Sequence, residues 1–170
     1  MKTDYIALSG RMAEALPDLE CVVDRAELLL DKSQQNGDDD YLDGVALNLH
    51  GFYTGVERIL EDVARTVEKT VPSGSKWHQE LLLQMSAEIN SVRPRVISRE
   101  TRYCLDEYRG FRHVVRNVYA FKLIPSRLQE LTTQLRKCYQ SVKADLNEFM
   151  HFLNQAAGEE DSADEKRDEA

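Results

Sequence analysis

Tyr108-Arg109-Gly110-Phe111-Arg112-His113-Val114-Val115-Arg116-Asn117-Val118-Tyr119 divides into two faces when wound as a helix. With Arg112 at zero and about 100° per residue, Arg116, Arg109, His113 and Asn117 fall between about 40° and 140°. Val114, Val118, Phe111, Val115, Tyr108 and Tyr119 fall between about 200° and 340°. One face is polar and basic, the other apolar or aromatic. A solvated face in an acidic protein has no need of three arginines, a histidine and an asparagine together, so this face is the first candidate for function.

The rest of the chain extends the helical reading. Tyr5, Leu8, Met12, Leu16, Leu19, Ala26 and Leu29 or Leu30 recur every three to four positions and predict a helix over 3–32, with Pro17 expected to kink or divide it. Gln34 to Asp40 reads as a turn. Leu42, Val45, Leu49, Phe52, Val56, Ile59, Val63 and Val67 form a 3,4 seam that predicts a helix over about 40–69. Val71-Pro72-Ser73-Gly74-Ser75 loops into a third helix, about 76–92, with Trp77, Leu81, Leu82, Met85 and Ile89 as its apolar positions. His78 has no partner histidine nearby and is read as structural or superficial. Ser98 caps or continues a fourth helix to about Lys122, and Leu128, Leu131, Leu135, Cys138, Val142, Leu146, Phe149 and Leu153 mark a fifth over about 126–156. No stretch alternates with period two. The expected fold is all-α: four long helices plus an N-terminal one, with short connections placing neighbours antiparallel.

Composition sets bounds on function. The chain has 170 residues, enough for one domain with a real core, expected over 1–157, and a net charge of −8. From Glu159 to the end there are seven acidic and two basic residues, which leaves −3 on the body, and residues 158–170 are expected to be a disordered acidic tail. Within the body Arg93, Arg95, Arg99, Arg102, Arg109, Arg112 and Arg116 crowd into 24 positions, a basic stripe suited to phosphate groups. Cys21, Cys104 and Cys138 show no CxxC spacing and read as reduced core thiols of a cytosolic protein; no zinc site is indicated. No membrane span or secretory leader is visible, so a soluble cytoplasmic protein is expected. A glycine-rich phosphate loop, a GxSxG elbow, HExxH and paired carboxylates are all missing, so neither cofactor nor metal is expected.

Arg112-His113-Val114-Val115-Arg116-Asn117-Val118-Tyr119 resembles the signature of the HEPN superfamily, an arginine, a polar residue, three further residues and a histidine. In its HepT-like toxin branch a tyrosine follows two positions after that histidine. Arg112, His113 and Tyr119 match; Asn117 stands where the histidine should be. Leu49–Ile59, Trp77–Leu82, Arg93–Ser98 and Leu105–Tyr108 are similar to the same branch, so the likeness covers roughly 40–150. The resemblance implies a HEPN-like bundle acting as a metal-independent endoribonuclease toxin, a homodimer with two motif helices facing across a cleft. It also implies a minimal nucleotidyltransferase antitoxin that transfers AMP to Tyr119.

Metal-free RNA cleavage needs a base for the 2′-hydroxyl proton, a donor for the phosphorane charge and an acid for the leaving oxygen. On this reading Arg112 holds the phosphate, His113 orients or replaces the base, Asn117 fills the altered position, and Arg109 and Arg116 guide RNA. Asparagine can hydrogen-bond but cannot exchange protons near neutrality. Three readings therefore stand: His113 substitutes for the missing histidine, the chain is a silenced homologue, or Asn117 is an inactivating replacement. Tyr119 borders both faces, and a simple rim position for its ring fits as well as modification. Two other function classes remain beside the nuclease, a non-catalytic accessory subunit of a nucleotidyltransferase and a plain helical interaction module.

Overall fold

The computed structural model describes residues 2–117 and 123–168, with residues 116–117 and 159–168 described in backbone only. Five α-helices follow in order: α1 Lys2–Asn36, α2 Tyr41–Val63, α3 Trp77–Met85, α4 Arg99–Asn117 and α5 Pro125–Asp168. A π-helical turn, Ala64–Glu68, extends α2. Among the described residues there is no strand, only an isolated bridge between Ile89 and Arg93. The all-α expectation holds.

The core follows the seams. Leu8, Met12, Leu16, Leu19, Val23, Ala26 and Leu30 of α1 are buried against Leu42, Val45, Leu49, Phe52, Val56 and Val63 of α2 and Leu128 to Leu153 of α5. Gly44 and Gly55 let α2 approach α1 closely, since a Cβ on either would meet a leucine methyl, of Leu29 at 2.7 Å and of Leu19 at 2.6 Å. With Arg11 bonded to Asp62, these pairings set α1 and α2 antiparallel. Ser98 with Asp145, Cys104 with Cys138 and Tyr108 with Leu131 do the same for α4 and α5. Phe52 with Tyr108 and Glu57 with Arg112 instead make α2 and α4 parallel, because the chain between them, with α3, travels back along the bundle.

Several boundaries differ from the sequence reading, each for a physical reason. α1 passes Pro17 unbroken. The lost backbone bond is offset by burial of Met12, Leu16 and Leu19 around it, and Pro17 itself faces outward. α3 stops at Met85 rather than near 92, because the buried Arg93 guanidinium gathers the chain around itself. Its Nε donates to Glu68 Oε1 at 2.7 Å, Nη1 to the carbonyls of Ala87 and Pro94 at 2.7 and 2.9 Å, and Nη2 to that of Gln84 at 2.9 Å. The Met85 carbonyl takes the Val96 and Ile97 amides instead of continuing the helix. Arg93 therefore leaves the expected basic stripe and becomes a structural post. α5 begins at Pro125, whose fixed φ suits a first helical position. Its last buried residue among those whose side chains are described is Ala157, and its helical backbone is described to Asp168.

α4 is pinned from several sides. Ser98 caps it: its Oγ accepts the Thr101 amide at 3.1 Å, and its own amide donates to Asp145 Oδ2 at 2.8 Å. The Tyr108 hydroxyl donates to the Leu131 carbonyl at 2.8 Å, and its ring meets Phe52 edge to face at 5.4 Å. Cys104 and Cys138 form a disulfide between α4 and α5, while Cys21 is exposed. The expectation of reduced core thiols is corrected on both counts: adjacency across two helices, Cα to Cα 5.9 Å, is tertiary and left no spacing to read. The argument for a cytosolic setting loses its thiol support. No helix among the described residues is long and apolar enough to cross a membrane.

Removing Arg93 strands the nearly buried Glu68 carboxylate and several carbonyls. Arg93→Ala should cost about 3–5 kcal/mol in urea unfolding, and Arg11→Ala, which breaks an exposed pair with Asp62, about 1 kcal/mol or less. Equal losses for the two variants would contradict the role given to Arg93.

Candidate functional site

The site begins with a carboxylate buried where a helix seam should be apolar. Glu57 lies on α2 one turn beyond Tyr53, and its side chain is 4% exposed. An isolated charge at such depth is costly unless it is paired. Glu57 is paired twice: Oε1 accepts from Arg112 Nη1 on α4 at 2.9 Å, and Oε2 lies 2.5 Å from His78 Nδ1 on α3. Three helices thus converge on one carboxylate.

Sharing that carboxylate brings the two partners together. Arg112 Nη1 lies 3.0 Å from His78 Nδ1 and 3.3 Å from Nε2. The Trp77 ring lies against the imidazole at 3.7 Å between centroids, tilted by 33°. Arg112 is 14% exposed and His78 25%, so both are held from within yet reachable from outside. Two buried polar atoms beside them lack a hydrogen-bond partner, Arg112 Nε and the Tyr53 hydroxyl. Burial first, then the charge of Glu57, pushes the Tyr53 phenol well above its ordinary value.

Above the carboxylate opens a cleft of about 170 Å3 lined by Ser75, Lys76, His78, Gln79, Arg109, Arg112 and His113. Three cationic side chains and two imidazoles face it, and none of its described lining residues is a carboxylate. Arg109 also donates from Nε to Asp106 Oδ1 at 2.6 Å, and this bond chiefly raises its already high pKa. A larger hollow of about 530 Å3 between α4 and α5 has its Arg127 paired with Glu107 and Glu130, and offers no comparable charge. Among the described residues no group of three or more His, Cys, Asp or Glu side chains is arranged to hold a metal ion.

Of the residues singled out from sequence, the cleft gathers Arg109, Arg112 and His113. The side chains of Arg116 and Asn117, and the whole of Val118 and Tyr119, lie outside the described residues. The opposite face is buried at Tyr108 and Phe111 and partly buried at Val115, whereas Val114 is 43% exposed. His78, read as structural or superficial, belongs to the site; Lys76 and Glu57 were not singled out at all. For Glu57 a signal existed, an acidic residue between Val56 and Leu60 in the seam register of a buried helix. For His78 none did, since its partner is 21 residues away on another helix.

A family model for HepT-like proteins matches residues 44–153, well over half of the chain, and the protein belongs to this HEPN-superfamily family. No curated protein and no solved structure matches it. The matched span takes in most of α2, all of α3 and α4 and most of α5, so Glu57, His78 and Arg112 all fall inside it, and α1 precedes it.

The buried phenols make alkaline stability a test of this packing. Tyr53, Tyr108 and Tyr139 are raised above the ordinary 10.0, mainly by burial, Tyr139 to about 12. Each favours the folded state fully below pH 10.0, and that stability falls as pH rises, for Tyr139 between 10.0 and about 12. Tyr53→Phe removes an unpartnered buried hydroxyl, so it should leave stability at pH 7 unchanged or higher and lessen the loss above pH 10, followed by chemical unfolding at both pH values. A large loss at pH 7 would mean that the hydroxyl has a partner.

Proposed function

We propose that this protein is the ribonuclease toxin of a HepT-type toxin–antitoxin pair, cutting RNA without metal. The observation that carries the reading is the cleft lined by Lys76, Arg109 and Arg112 together with two imidazoles, and with no carboxylate among its described lining residues. Such a surface attracts the RNA backbone and offers groups for both charge stabilisation and proton transfer. Membership of the HepT-like family supports the toxin role.

In this reading Arg112, held by Glu57, places its guanidinium against the scissile phosphate and stabilises the charge of the phosphorane. His113 stands at the same cleft as a proton-transfer group. Asn117 hydrogen-bonds a phosphate or ribose in the position that a histidine fills elsewhere in the family, and Arg109 and Arg116 draw the strand in. Two copies pair to bring two basic faces to one RNA, and the protein works in the cytoplasm. Tyr119 accepts AMP from a minimal nucleotidyltransferase antitoxin; the added negative charge and bulk next to Arg112 and Arg116 block a substrate phosphate.

Asn117 supports a second reading, a non-catalytic subunit that binds RNA or presents itself to the nucleotidyltransferase. Cleavage of an oligoribonucleotide in chelator separates the two. The chain should cut, Arg112→Ala should lower the rate at least about 100-fold with its melting cooperativity kept, and Asn117→His should raise it. Binding without cutting in all three versions supports the accessory reading.

The modification has its own test. Incubation with the cognate nucleotidyltransferase and ATP should add AMP to the chain and none to Tyr119→Phe, as read by peptide mass spectrometry. AMP on another residue would contradict the assignment.

A further inference from the structure

The proposed reaction needs a base, and asparagine, which stands at position 117, cannot take up a proton near neutrality. One imidazole of the cleft, His78, is oriented by a buried carboxylate. Donor counting defines its state: a carboxylate offers only acceptors, so the short contact with Glu57 requires the hydrogen on Nδ1. Arg112 is also a pure donor, so its approach to Nδ1 is no hydrogen bond but a result of sharing Glu57. In the neutral ring Nε2 then carries the lone pair, and the donor Arg112 Nη1 stands 3.3 Å from it. The buried carboxylate and the Nδ1–H, with Nε2 left as the acceptor, reproduce the arrangement by which a carboxylate fixes the tautomer of a general-base histidine.

We propose, resting on the ribonuclease reading above, that His78 is a catalytic residue, the base that takes the 2′-hydroxyl proton, and that Glu57 is its positioning residue. Nε2 lies 3.3 Å from Arg112 Nη1, so a phosphate held by Arg112 brings its neighbouring 2′-hydroxyl within reach of His78. Nε2 removes the hydroxyl proton as the 2′ oxygen bonds to phosphorus. The bond from phosphorus to the 5′ oxygen breaks, and that oxygen leaves with its electron pair and takes a proton from His113, which lines the same cleft. The products are a 2′,3′-cyclic phosphate and a 5′-hydroxyl; both imidazoles regain their starting states by exchange with water. No metal, water or redox partner is consumed.

The test uses the full chain with a fluorogenic oligoribonucleotide in chelator, alongside binding of the same oligonucleotide with a 2′-deoxy residue at the cut. His78→Ala should lower kcat by about 100-fold or more while the deoxy analogue binds within about threefold. The pH–rate profile should flatten over about pH 5 to 8, the range where histidine titrates. His78→Gln, which can still donate to Glu57 but moves no proton, should be as inactive as His78→Ala. Glu57→Gln should lower kcat more than it changes KM.

Activity restored by Gln at 78 would make the residue structural and overturn the proposal. Cleavage by the parent chain that survives both His78 variants overturns it and leaves the ribonuclease reading standing. A parent chain that binds RNA without cutting it overturns it in favour of the accessory reading. A chain that neither binds nor cuts overturns both readings.

Discussion

A single buried carboxylate, Glu57, ties the fold to its site. It sits on the central helix α2, within a seam that would be more stable if it were apolar. Its two oxygens are divided between His78 of α3 and Arg112 of α4, so the position of each depends on the other through one shared partner. The remaining structure serves this convergence. The Ser98 cap, the Tyr108 bond and the disulfide fix the register of α4, and the Arg93 cluster brings the chain from α3 back to it. The result is a cation and an imidazole, oriented from beneath and open above.

What was legible in the sequence is what local periodicity encodes. The seams of α1, α2 and α5 read directly, because every third or fourth residue of a buried stripe must be apolar, and those residues are the ones buried. The boundaries were less legible, since they depend on distant partners. α3 ends where Arg93 claims the Gln84 carbonyl, and Pro17 is tolerated because buried leucines flank it. Cys104 and Cys138 are 34 residues apart and meet only because α4 and α5 run antiparallel. α2 and α4 lie parallel for a similarly non-local reason, the return path of the chain through α3.

The site divides along the same line. Arg109, Arg112 and His113 belong to one helix, and an angle of about 100° per residue is enough to place them together. The basic stripe inferred from arginine spacing was too broad: Arg93 faces inward, and Arg109 is engaged by Asp106. Glu57, Lys76 and His78 come from α2, α3 and the turn before it, and no spacing along the chain announces their meeting. A histidine without a sequence neighbour reads as structural, yet in the fold it meets Glu57, Arg112 and Trp77 at the cleft. A missing histidine at 117 draws attention to α4, whereas the imidazole held by the buried carboxylate comes from α3.

Glu57 holds His78 with its hydrogen on Nδ1. Long-range proton–nitrogen NMR correlation on the full chain with labelled histidine, at about pH 8.5 where an ordinary imidazole is neutral, reads this tautomer directly. The expected result is a protonated Nδ1 and an unprotonated Nε2 at His78, with the preference lost in Glu57→Gln. A hydrogen on Nε2 in the unaltered chain would contradict it.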